Sequence, residues 1–112
     1  MQTWDTRSLD VEPHQPQVLQ SDGEGRTILI NLPAGEELQE HQVHERAWIL
    51  VVDGRVEIGD SDGGTFEASP GGLALTEPNE RHDVRAKEDS RIVLVLAPWP
   101  GQGHPRLQHG QR

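Results

Sequence analysis

Residues 35–54, GEELQEHQVHERAWILVVDG, decide how the rest of the chain is read. The stretch begins on a glycine, carries His41 and His44 among polar residues, and then runs through six apolar residues from Ala47 to Val52 before Asp53-Gly54. So short an apolar run between turn residues fits a strand rather than a helix, and apolar side chains at successive positions mean burial on both faces. If Ala47, Ile49 and Val51 point inward, Trp48, Leu50 and Val52 need cover from outside. Asp53-Gly54 reads as a two-residue hairpin turn requiring positive φ, leading into a strand over 55–59 with Val56 and Ile58 on one face.

The flanks carry the same kind of signal. Residues 1–16 show no period and read as an arm with Trp4 as its packing residue. Val18-Leu19 suggest a short strand before the turn at 21–25. Over 26–32 the alternation places Ile28, Ile30 and Leu32 on one face and Thr27, Leu29 and Asn31 on the other. Residues 36–41, 65–68, 73–76 and 82–86 form further short strands. A turn at 61–64 and a type II turn at Ser69-Pro70-Gly71-Gly72 punctuate them. Residues 91–97, with Ile92 to Leu96 apolar without a break, make a second strand buried on both faces. Pro98, Pro100, Gly101, Gly103 and Pro105 then forbid regular structure, leaving 98–112 as a tail anchored by Trp99. The expected division is an arm over 1–16, a β-domain over 17–97 and that tail. About eight strands with turns every 8 to 12 residues imply an all-β barrel or sandwich.

Bulk properties narrow the function. The 112 residues suit one domain with one core. A net charge of −9 argues against a nucleic-acid partner and against a role on anionic membranes. The apolar runs of six residues are far too short for a membrane span. The absence of Cys rules out disulfides and thiolate chemistry. The first residues, MQTWDTRSLDVEPHQPQ, lack the basic start and apolar middle of a signal peptide. A cytoplasmic protein is expected.

Two stretches, residues 35–54 and PGGLALTEPNERHDV at 70–84, resemble the paired signature motifs of the cupin superfamily. The resemblance covers about residues 26–97 and implies a cupin-type double-stranded β-helix, a jelly-roll barrel. Such barrels usually hold a divalent metal on inward histidines and a glutamate. Gly35, His41 and Gly54 match the first motif, while Val43 and Ala47 stand where a second histidine and the glutamate are usual. His82 matches the second motif, with Asn79 at the usual glycine, a residue that tolerates positive φ.

In a single unbroken strand Val43, Glu45 and Ala47 share the face of His41, which makes Glu45 a candidate displaced carboxylate. A one-residue bulge after His41 would instead turn His44 inward, giving His41, His44 and His82 as a three-histidine metal set. Three neutral imidazoles suit Zn, Fe, Ni or Cu, and the expected cofactor is a divalent transition metal, Fe, Zn, Ni or Mn. Arg46, Asn79, Glu80 and Arg81 lie near the expected mouth, and His104 falls in the tail.

Three functions compete. One is binding of a small organic ligand in the barrel, with a reduced or absent metal site. The second is a metal-dependent oxygenase or isomerase on the three histidines. The third is a sensory or regulatory unit. The two doubly apolar strands also imply a homodimer covering the outer sheet face.

Overall fold

The computed structural model describes residues 1–41 and 43–103, with the backbone alone for 39–41. Its strands are β1 (Gln17–Asp22), β2 (Gly25–Leu32), β3 (Glu37–His41), β4 (Arg46–Asp53), β5 (Val56–Asp60), β6 (Thr65–Ala68), β7 (Leu73–Thr76), β8 (His82–Ala86) and β9 (Ser90–Ala97). They form a five-stranded sheet in the order β1-β2-β9-β4-β7 and a four-stranded sheet in the order β3-β8-β5-β6. The paired strands run antiparallel, and the chain alternates between the sheets as a jelly roll does.

Alternation in the sequence becomes the core. Ile30 and Leu32 of β2, Ile49 and Val51 of β4, Val56 and Ile58 of β5, Val84 and Ala86 of β8 and Ile92 of β9 pack between the sheets, with Ile28 and Leu94 at the margin. Every second residue of a strand faces the same way, so these positions define the inner faces.

The outer face of the larger sheet is covered in part by the N-terminal arm. Asn31 Nδ2 donates to the Val11 carbonyl at 3.1 Å, and the Arg91 guanidinium donates to the carbonyls of Thr6 and Leu9. Val11 is buried while Trp4 stays 40% exposed, so Val11 rather than the expected Trp4 seats the arm. Leu29, on the polar-looking face of β2, is also fully buried. Beyond the arm, Trp48, Leu50, Val93 and Val95 are half-buried, and Leu73 and Leu75 on β7 are exposed.

Asp53-Gly54 supplies the positive φ expected of it, +80° at Gly54, but does not close a hairpin. β4 pairs with β9 and β7, whereas β5 pairs with β6 and β8. The turn is a corner between sheets, and a Cβ at Gly54 would overlap the Asp89 carbonyl oxygen and the Ser90 hydroxyl. The same reason overturns the single-strand reading of 41–47: β3 ends at His41 in one sheet and β4 starts at Arg46 in the other. Face parity cannot be carried across such a crossing.

The other turns form as their residues dictate. Gly71 has φ +96° and the Gly72 N–H donates to the Ser69 carbonyl at 2.8 Å, a type II turn. Asn79 has φ +68°, and its N–H donates to the Val43 carbonyl at 2.8 Å, tying the loop before β8 to the loop before β4.

Candidate functional site

The sheet orders leave β7 and β6 as facing edges, one from each sheet, with no pairing between them. Along this seam the barrel opens as a cleft of about 230 Å³. Ile58, Phe66 and Ala74 give it an apolar lining, joined by Leu75, Thr76, Thr65 and the glycines 59 and 64. Asp60 and Glu80 are its charged residues. Phe66, opposite Ile58 in the β5–β6 register, leaves 45% of its surface open to solvent.

Thr76 is the informative residue. β7 turns Leu73 and Leu75 outward and Thr76 inward, where it is 4% exposed. Its hydroxyl oxygen is buried with no hydrogen-bond partner among the described residues. Buried hydroxyls are nearly always satisfied, because leaving one unpaired forfeits about 1–3 kcal/mol. The residue opposite on β4 is Ala47, whose methyl group offers no acceptor. The hydroxyl therefore marks a place where a ligand or an ordered water completes the structure.

The carboxylates of the cleft are fixed by backbone donors. Asp60 Oδ1 accepts from the Asp62 and Gly64 N–H groups at 2.9 and 2.8 Å. Glu80 Oε1 accepts from the Glu77 N–H at 3.0 Å. Arg46 is committed to Glu77 through a two-nitrogen contact with a shortest distance of 2.9 Å. That hydrogen bond and the charge of Glu77 raise the guanidinium pKa above its ordinary value.

The histidine positions converge only in part. His82 opens β8, is 3% exposed, and in backbone register stands opposite Asp60 on β5 and His41 on β3. Its Nδ1 lies 3.4 Å from the Glu80 carbonyl oxygen. The His41 side chain lies outside the described residues. The β3–β8 register slips between Leu38 and His41, before His41 rather than after it. The His44 ring is half-buried, and a Cβ on Gly103 would sit 3.5 Å from its Nδ1.

Glu45, the candidate displaced carboxylate, is 1% exposed, and its Oε2 accepts the Gly101 N–H at 2.6 Å. The tail thus returns to the start of β4. Arg26 stacks over the Trp99 ring at 4.0 Å and adds a second anchor. His104 and His109 lie outside the described residues. Among the described residues no group of three or more His, Asp or Glu side chains is placed to hold a metal. Val43 and Ala47 supply no donor, and Glu45 is occupied by the tail, so the described residues do not by themselves fit one.

Residues 28–98 match the family model described as Cupin domain. The chain belongs to the cupin family. This cupin is 35% identical over 86 residues to the L-ectoine synthase of Thermobifida fusca (strain YX), covering 72% of this chain and 62% of that protein. It thus spans less than two thirds of that relative's length. Among solved structures, an RmlC-like cupin from Desulfovibrio desulfuricans superposes with a TM-score of 0.78 at 18% identity, over 88% of this chain and 97% of the other. KdgF from Halomonas sp. superposes with a TM-score of 0.70 at 25% identity, over 80% and 85%. The all-β jelly roll expected from the two motifs is the fold of this cupin.

Glu80, expected near the mouth, lines the cleft. Thr76, Asp60 and Phe66 line it too, at none of the motifs' ligand positions. The usable signal was Thr76 itself, a polar side chain alternating in phase with Ala74 beneath a face of two leucines.

Proposed function

We propose that this cupin binds a small organic ligand at the open seam of its barrel, in the cleft between β5–β6 and β7. The observation that carries the reading is the buried Thr76 hydroxyl, unpartnered among the described residues, in a cleft with an apolar lining. A few polar groups set in an apolar concavity are the usual build of a small-molecule site. At about 230 Å³ the cleft lies below the range of ~300–1,000 Å³ typical of larger ligands, which suits a metabolite of few atoms.

The test is a thermal-shift screen of a metabolite library against the wild type and Thr76→Val, a change that keeps shape and removes the hydroxyl. Ligands that stabilise the wild type and lose the effect in the variant support the reading. Hits indifferent to Thr76 contradict it.

A second reading, a metal-dependent enzyme on His41, His44 and His82, is favoured by the register that sets His41 opposite His82 and by the L-ectoine synthase relative. Elemental analysis of untagged protein beside His82→Ala decides it. Near-stoichiometric Fe, Zn, Ni or Mn lost in the variant supports it, and no metal after incubation with each ion contradicts it.

A further inference from the structure

We infer that the cleft selects a cationic ligand, a small ammonium or amidinium compound with a short apolar body. The inference rests on the proposed cleft site and names the chemistry that site accepts. Among the described residues its two ionisable lining groups, Asp60 and Glu80, are both acidic, and no Lys, Arg or His lines it. Each carboxylate is held through one oxygen by backbone N–H groups, so its position is set before a ligand arrives. The neighbouring cations are already engaged: Arg46 with Glu77, and Arg81 with a partner of its own.

Two further groups match a cation. The half-open Phe66 ring offers its negative face, to which ammonium and guanidinium groups are drawn. The Thr76 hydroxyl, without a partner among the described residues, can accept an N–H from the ligand. Ile58 and Ala74 receive the apolar body. The net charge of −9 draws cations toward the molecule and repels carboxylates and phosphates. An anionic ligand would enter between two carboxylates with no basic group among the described lining residues to meet it.

The experiment titrates 15N-labelled full-length protein with n-pentylammonium, n-pentanol and pentanoate at low ionic strength and follows the amide shifts of the cleft residues. The same titrations are run on Glu80→Gln and Thr76→Val. The expected result is at least tenfold tighter binding of pentylammonium than of pentanol, and no saturable binding of pentanoate. Glu80→Gln should weaken pentylammonium several-fold while leaving pentanol unchanged, and 0.5 M NaCl should do the same. Pentanol or pentanoate binding as tightly as pentylammonium, with loss in Thr76→Val, overturns the cation preference and leaves the cleft site standing. If no probe moves the cleft amides of the wild type, both the preference and the cleft site fall.

Discussion

Gly101→Ala should detach the C-terminal segment from the barrel. A Cβ at this position would overlap the His44 carbonyl oxygen, sit 2.6 Å from its carbon and lie 3.1 Å from Glu45 Cγ. The first two atoms are backbone and cannot swing aside, so the segment must move and the 2.6 Å hydrogen bond from the Gly101 N–H to Glu45 must break. A hydrogen bond to an ionised acceptor contributes about 1.5–3 kcal/mol. Once the segment lifts, water reaches Glu45, so no stranded buried charge adds to that loss. The expected destabilisation is about 2 kcal/mol, roughly 8 °C in Tm for a domain of this size.

Urea denaturation of the wild type, Gly101→Ala, Glu45→Gln and the double variant measures it. Both single changes weaken one bond, so the double should fall short of their sum by about 1 kcal/mol or more. Strict additivity, or a Gly101→Ala effect below about 0.5 kcal/mol, would refute the argument that this bond holds the segment.

Three further outcomes follow from other parts of the fold. Gly54→Ala should cost at least about 2 kcal/mol more than Gly71→Ala, since both have positive φ but only Gly54 lies against backbone; equal costs in chemical denaturation would contradict the corner described here. Asp22 accepts the N–H groups of Glu24 and Gly25, which hold its carboxyl below the usual value of 3.8, so its stabilising effect is present above that pH and fades as pH falls through the lower folded value; Asp22→Asn should flatten the stability profile below pH 4, and an unchanged slope would count against the turn. We propose that a second copy covers the apolar face of Trp48, Leu50, Leu73 and Leu75; light scattering should then find a dimer that Leu75→Asp dissociates, and a monomeric wild type at micromolar concentration would refute it.

What could be read from the sequence was whatever a few adjacent residues determine. The inner face of β2, the type II turn at Gly71 and the positive φ of Asn79 are of this kind. Features that depend on which sheet receives the chain were not available. Asp53-Gly54 looks the same whether the next strand returns alongside β4 or crosses to the other sheet, and the parity linking His41 to Ala47 dissolves at such a crossing. The site suffered most. Leu73-Ala74-Leu75-Thr76 invites the leucines inward, yet β4 presents its own apolar outer row, Trp48 and Leu50, opposite them, and Thr76 is what faces the cleft. The partner of the buried Glu45, Gly101, lies 56 residues away in a segment without a pattern.

The ligand site at the β6–β7 seam is tested most directly by a crystal structure of the protein with the best Thr76-dependent stabiliser from the library screen. The account predicts ordered density between Phe66 and Ala74, with a ligand polar atom within hydrogen-bond distance of Thr76 Oγ1 and a cationic group facing Asp60 or Glu80. Density for that compound elsewhere, for instance in the hollow between Trp4 and β1, with the Thr76 hydroxyl still unpartnered, would contradict it.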